Sequence, residues 1–206
     1  IAESNFVGDR DDQNVPLPSN PFLKIHVDRF TPLDDFNYNN NYIDNDEIMG
    51  YPEREWSFRH TLSSASLLGK SCQGTLMLAG HSEPFQKQGH LFGKHLALAW
   101  QANMDLEPFR LRTLPYKSLL SLIGAPVLFQ LEQEPSLYRE IKKGLNSVEM
   151  IDYQKIYDAV LEGPGIEKTK DLQLKHVNIA MNVLNSMPSC DAKKALHNII
   201  VAVIDN

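Results

Sequence analysis

The stretch that decides the fold is SEPFQKQGHLFGKHLALAWQANMDLEP, residues 82–108. Ser82 is a favourable helix N-cap, and a glutamate and a proline suited to a first turn follow it. Apolar residues then recur at helical spacing. They are Phe85, Phe92, Leu96, Ala99 and Trp100. The pattern predicts one long helix that begins at Ser82 and ends before Pro108, because proline interrupts a helix interior.

Small residues recur at every fourth position of the same helix, at Gly89, Gly93 and Ala97. Such a stripe allows the backbone of another helix to approach closely. Two glycines inside a helix weaken it. We therefore expect a close helix contact along this line, and a contact with a partner subunit is one candidate for it.

The helical period extends outward from this segment in both directions. We expect further helices over residues 52–80, 116–132, 135–145, 152–161 and 166–187, and a last helix from Ser189. The helix over 166–187 carries one face of Leu172, His176, Ile179, Val183 and Leu184, and the last helix is expected to bury Ala195, Leu196, Ile199, Ile200 and Val203. With no strand alternation and no internal repeat, the sequence predicts an all-α domain of about six or seven helices.

Residues 9–51 have a different composition, rich in Pro, Asp and Asn. Proline removes backbone donors, while Asn and Asp favour turns over helix. We predict that this segment is a long, exposed, disordered-like insertion with one helical turn near residues 22–27. Residues 1–8 are interpreted as the end of an upstream helix, with an N-terminal portion missing before them.

Composition narrows the classes of function. The 206 residues carry a formal net charge of −6 without a clustered basic face, which argues against a nucleic-acid partner. No apolar run approaches the roughly 20 residues of a membrane span, so no transmembrane segment is expected. The two cysteines lack metal-site spacing.

Common catalytic and nucleotide-binding motifs are absent from the sequence, including the P-loop, GxGxxG, HExxH and GxSxG. The seven histidines never pair at i, i+4, which disfavours a histidine metal site on one helix. Asp9, Asp11 and Asp12 lie among turn-forming residues and are read as a solvated charge run. We predict no catalytic residue and no bound metal in this chain.

One ordered set of motifs resembles the trans-polyprenyl diphosphate synthase family. Ser63-Ser64-Ala65 stands where the family begins a helix with Lys-Thr-Ala, and Phe92-Gly93 through Trp100-Gln101 matches its Tyr-Gly to Phe-Gln stretch, with Gln101 on the family's Gln. Later landmarks follow in order, at Ala125-Pro126-Val127-Leu128, Gly165-Ile166-Glu167 and Met187-Pro188. The resemblance covers about residues 52–204 and implies the C-terminal half of an isoprenoid synthase-type helical bundle.

In that family, two Asp-rich motifs, DDxxD, hold Mg²⁺ ions against the diphosphate leaving group. Carboxylates at i, i+1 and i+4 present oxygen ligands from one helix. The second motif is degenerate here, with Met104, Asp105 and Pro108 at its three Asp positions and Ser63 in place of a Lys. The first motif is absent from these residues. Asp105 is therefore either a relic ligand or an ordinary acid near a helix end.

The resemblance is strongest to the accessory, non-catalytic-looking subunit of heteromeric, decaprenyl-type members of the family. It is carried by Leu67-Leu68-Gly69-Lys70-Ser71-Cys72-Gln73, by Gly93-Lys94-His95, and by Asp105 with Pro108-Phe109. It implies a mitochondrial subunit that supports synthesis of the ubiquinone side chain. It also implies a catalytic polyprenyl diphosphate synthase partner, which keeps both motifs and binds the Mg²⁺. Two alternatives stay open. One is an active synthase that uses Asp105 and Glu107 with missing upstream residues, and the other is an α-helical interaction domain without an isoprenoid role.

Overall fold

The computed structural model describes residues 8–23, 51–110 and 120–205. Its helices are α1 (Pro52–His60), α2 (Ser66–Leu78), α3 (Glu83–Arg110), α4 (Ala125–Gln133), α5 (Tyr138–Ile141), α6 (Tyr153–Glu162), α7 (Gly165–Ser186) and α8 (Asp191–Asp205). A π-helical turn, Thr61–Ala65, joins α1 to α2, and short 3-10 turns lie at Pro21–Leu23, Pro135–Leu137, Lys142–Leu145 and Val148–Met150. Within these described ranges there are no strands apart from one isolated bridge between Arg10 and Pro16. The all-α prediction is confirmed.

The long helix α3 forms the centre of the bundle, and it packs most extensively on α7 and α2. Gly89 and Gly93 of the small-residue stripe contact α2, and Ala97 packs on a different core cluster. A Cβ at Gly93 would lie 2.7 Å from the Leu68 carbonyl oxygen and 2.8 Å from Cys72 Sγ. The predicted close contact is thus present, but it lies inside the chain. Gly89 and Gly93 are buried in this contact and are not available to a partner subunit.

The end of α3 differs from the prediction, because the helix continues through Pro108 to Arg110. A proline inside a helix removes one backbone hydrogen bond, and its ring crowds the carbonyl group four residues earlier. Packing offsets this loss, because Phe109 is buried and stacks on Tyr157 with ring centroids 5.1 Å apart. The Tyr157 hydroxyl also donates a hydrogen bond to the Pro108 carbonyl oxygen, at 3.1 Å.

Two further helix boundaries are corrected. The predicted helix 116–132 does not include residues 120–124, which form a bend and turn before α4 begins at Ala125; its first residues lie outside the described ranges. Pro126 suits this first turn, where its missing N–H has no helical partner to lose. The last helix begins at Asp191 rather than Ser189.

The last helix buries only part of its predicted face. Ile200 and Val203 are buried, but Ala195 and Ile199 are exposed. The core it joins includes Val177 and Leu184 of α7 and Phe92 of α3. Because α8 packs on the bundle along one side only, the apolar residues on its other side remain in solvent.

The predicted helices over 52–80, 152–161 and 166–187 are confirmed, and the first of them contains the π-helical turn.

The first part of the predicted insertion is packed on the bundle rather than exposed. Leu17 is only 2% exposed and belongs to the core. Arg59 donates from Nη2 to the Leu17 carbonyl oxygen at 3.1 Å, and the Ser19 N–H donates to Glu55 Oε1 at 3.0 Å. The predicted turn near residues 22–27 begins as the 3-10 turn Pro21–Leu23. The rest of that turn, the insertion over 24–50 and the predicted upstream helix over 1–7 lie outside the described residues.

Candidate functional site

Asp105, the surviving aspartate of the degenerate motif, joins three helices by hydrogen bonds. Its Oδ2 accepts from Trp56 Nε1 of α1 at 2.7 Å and from the Ala125 N–H at 2.9 Å, where α4 begins. Its Oδ1 accepts from Gln101 Nε2 at 2.9 Å, one turn earlier on α3. The side chain is 8% exposed, while Trp56 and Ala125 are fully buried. Asp105 therefore acts as a buried structural acceptor that also places negative charge at the N-terminus of α4.

The other predicted positions do not join Asp105 in a ligand set. Met104 is half exposed and carries no oxygen, and Pro108 lines a cavity of about 40 Å³ beside the turn that precedes α4. Ser63 lies in the π-helical turn, where its Oγ donates to the His60 carbonyl oxygen at 3.4 Å. Gln101 binds Asp105 directly. Gln101, which matches the family's glutamine, thus has Asp105 as its hydrogen-bond partner, and Ser63 bonds only to the preceding turn of its own helical segment in the described contacts.

These residues do not fit a Mg²⁺ site. Mg²⁺ needs oxygen ligands in near-octahedral geometry with room for bound water. Both oxygens of Asp105 already accept protein N–H donors, and Met104 and Pro108 offer no side-chain oxygen. In the part of the chain that the structure describes, no group of three or more His, Cys, Asp or Glu residues is placed to hold a metal. Asp105 is thus a buried hydrogen-bond acceptor and not an exposed acid at a helix end, and its interpretation as a relic ligand stays a prediction.

A buried histidine cluster adjoins Asp105 through Trp56. His95 of α3 and His176 of α7 meet with their Nδ1 atoms 2.8 Å apart, although 81 positions separate them in sequence. They are 2% and 4% exposed. The Trp56 ring stacks on His176 with centroids 5.9 Å apart and lies 4.9 Å from the ring of His60. The cluster joins α1, α3 and α7.

The hydrogen bond between two identical ring nitrogens constrains the protons of the pair. One Nδ1 must carry a hydrogen and the other must not, so two neutral rings take opposite tautomers. The pKa of His176 is lowered to about 3, first by burial and then by the electrostatic effects of His95, Lys175 and Lys94. Burial also lowers the pKa of His60, against the opposing pull of the Asp105 carboxylate. His176 and His60 are therefore held in their neutral forms near pH 7.

Sequence reasoning missed this cluster because it considered pairs on one helix. The sequence did contain one indication of a buried histidine, because His176 lies on the apolar face predicted for α7. The structure shows that His176 is buried, as are Leu172 and Leu184 of the same face. A polar residue at such a position needs a buried partner. Nothing in the local sequence identifies that partner as His95.

No helix of the described ranges has the length and apolar character needed to span a membrane. No family model matches the chain.

Several characterised proteins are similar to this chain. It is 35% identical over 152 residues to the human All trans-polyprenyl-diphosphate synthase PDSS2, a match that covers 72% of this chain and 37% of that protein. It is 30% identical over 164 residues to the mitochondrial hexaprenyl pyrophosphate synthase of Saccharomyces cerevisiae, covering 75% and 34%. It is 30% identical over 139 residues to the mitochondrial solanesyl-diphosphate synthase 1 of Oryza sativa, covering 65% and 32%. The chain spans about a third of the length of these relatives.

Two solved structures share the fold. The apo form of an Arabidopsis medium/long-chain length prenyl pyrophosphate synthase matches with a TM-score of 0.60 and 22% identity, covering 73% of this chain and 54% of that chain. The heptaprenyl diphosphate synthase of Staphylococcus aureus matches with a TM-score of 0.62 and 16% identity, covering 73% and 49%. The motif order, the helical bundle and the similarity to the curated relatives agree, and the chain belongs to the trans-polyprenyl diphosphate synthase family, of whose members it spans the C-terminal part.

Proposed function

We propose that this chain is part of an accessory subunit of a heteromeric, decaprenyl-type trans-polyprenyl diphosphate synthase that supplies the ubiquinone side chain. The similarity to the human PDSS2 protein supports the class of enzyme. Mitochondrial names among the relatives support a mitochondrial location. In this proposal the chain contributes structure, and a catalytic partner subunit supplies the Mg²⁺ site.

The observation that carries the proposal is the bonding of Asp105. Ionising an allylic diphosphate develops negative charge on the leaving group, which metal cations and positively charged side chains stabilise. At this place the chain offers an exposed methionine, a proline and an aspartate whose two oxygens are occupied by Trp56, Gln101 and Ala125. These groups support packing, and they do not support metal-assisted ionisation.

The test is co-expression of this chain with a catalytic polyprenyl diphosphate synthase subunit, with complex yield and long-chain product measured together. We expect a complex whose product formation depends on both chains, and no product from this chain alone. In the complex, Asp105→Asn should leave turnover within about twofold, because asparagine can keep most of the hydrogen bonds.

Other outcomes separate the alternatives. A hundredfold fall in turnover for Asp105→Asn at full assembly corresponds to about 2.7 kcal/mol of lost transition-state stabilisation, and it would make Asp105 a working ligand. Product from this chain alone would favour the active synthase. Failure to form any complex would favour an interaction domain outside isoprenoid synthesis.

A further inference from the structure

An open cleft lies between the C-terminal part of α4 and α6, away from the degenerate motif. Its volume is about 560 Å³. Gln130 and Glu134 line one side, and Asp158, Glu162 and Gly163 line the other. The function proposed above uses none of these residues.

The cleft is negatively charged. Glu134, Asp158 and Glu162 are exposed, and none forms an ion pair with a Lys, Arg or His among residues 8–23, 51–110 and 120–205. The lysine in the cleft, Lys155, lies 3.8 Å from Glu140. The C-terminal end of α4 also carries partial negative charge from its last carbonyl groups. The cleft therefore attracts cations.

A buried acceptor in the cleft wall is the second observation. Gln130 is 4% exposed, and its Oε1 has no hydrogen-bond donor within the described ranges. The oxygen lies against Gly163, where a Cβ would collide with it. Buried amide oxygens normally have a donor. A donor that enters the cleft beside Gly163 would satisfy Gln130 after a small rotation of its amide.

The spacing of the carboxylates favours a polypeptide over a metal ion. The described residues contain no group of three or more His, Cys, Asp or Glu placed to hold a metal. Asp158 and Glu162 are instead one turn apart on α6, or about 6 Å along the helix axis. Arginines or lysines at i and i+4 of a partner helix have the same spacing. We propose that this cleft binds a basic helical segment of a partner polypeptide, with Gln130 accepting a hydrogen bond from one of its cationic side chains.

The probe for the test is an alanine-based helical peptide with arginine at every fourth position, and the same peptide with glutamate in those positions is its control. Binding to the full 206-residue chain is followed by NMR chemical-shift changes at low ionic strength and at about 0.15 M. We expect the arginine peptide to shift the signals of α6 and of the Gln130 side chain, and the glutamate peptide to shift neither. Shifts confined to other parts of the chain, or no shifts, would overturn the proposal.

Matched variants distinguish peptide binding in the cleft from non-specific electrostatic attraction to an acidic protein. Asp158→Asn with Glu162→Gln should weaken binding about tenfold, or about 1.4 kcal/mol. Glu167→Gln with Asp191→Asn removes two exposed carboxylates outside the cleft and should leave affinity unchanged. Equal losses in both double variants would mean non-specific attraction and refute the site.

Gln130→Leu tests the buried oxygen. It should weaken peptide binding while leaving the thermal stability of the free chain equal or higher, because an acceptor without a donor is removed. Unchanged affinity in this variant would exclude Gln130 from recognition and contradict the proposal. None of these outcomes depends on whether the chain assembles with a catalytic synthase subunit.

Discussion

Replacing Asp105 with alanine removes the acceptor that joins α1, α3 and α4. The Trp56 Nε1–H and the Ala125 N–H would lose their partner, and both residues are 0% exposed, so water cannot readily replace the carboxylate. A buried donor without a partner costs about 1–3 kcal/mol, which gives about 2–6 kcal/mol for the two. The free energy of unfolding of a domain is only about 5–15 kcal/mol. We therefore expect Asp105→Ala to remove a large part of the free energy of unfolding of this chain.

Asparagine is the matched control for this change. Its Oδ1 can accept from Trp56 and Ala125 as the aspartate Oδ2 does, and its amide can donate to Gln101 if the glutamine amide turns over. We expect Asp105→Asn to lose only about 1 kcal/mol, because neutral hydrogen bonds replace charge-assisted ones.

The assay is urea unfolding of the 206-residue chain and the two variants, followed by far-ultraviolet circular dichroism. The reasoning predicts that the alanine variant unfolds at much lower urea concentration than the asparagine variant. An alanine variant within about 1 kcal/mol of the unmodified chain would refute the structural role of Asp105, since the two lost donors alone exceed that value. Equal damage by asparagine and alanine would indicate that the negative charge, rather than the hydrogen bonds, is required.

The histidine pair and the glycine stripe give two further predictions. His176 has a folded pKa of about 3 against an ordinary value of 6.5, so the unfolded chain binds its proton more readily, and stability that is complete above pH 6.5 is lost as the pH falls toward 3. Between pH 7.5 and 5, this group should lower the free energy of unfolding by about 2 kcal/mol. His176→Leu should make the free energy of unfolding depend less on pH over that range. An unchanged pH dependence in this variant would exclude His176 as its source. Gly93→Leu should destabilise the chain itself by about 3 kcal/mol in thermal unfolding, because its side chain would meet Leu68 and Cys72. Gly74 is the control, because a Cβ added there would have no atom within 4 Å, and Gly74→Ala should stabilise α2 slightly. Equal effects of the changes at Gly93 and Gly74 would contradict the packing argument.

Local sequence determined much of the helical fold. Apolar residues at helical spacing and the breaks near Gly80, Gly163 and Pro188 placed most helices, because these signals act within one or two turns. The prediction failed where packing outweighed a local signal, as at Pro108, which α3 passes because Phe109 is buried beside Tyr157. It also failed at Leu17, whose Pro-rich and Asp-rich surroundings gave no indication that it joins the core.

The motif order in the sequence was sufficient to identify the family and to locate Asp105. The role of that aspartate depended on Trp56, 49 positions upstream, and on Ala125, 20 positions downstream. The pairing of His95 with His176 likewise arises only when α3 and α7 pack. Helical periodicity identifies the face that a helix buries, but it contains no information on which side chain will lie opposite. Those partners are chosen by the close packing of helices that are distant in sequence, and so the tertiary structure alone decided the chemistry of this site.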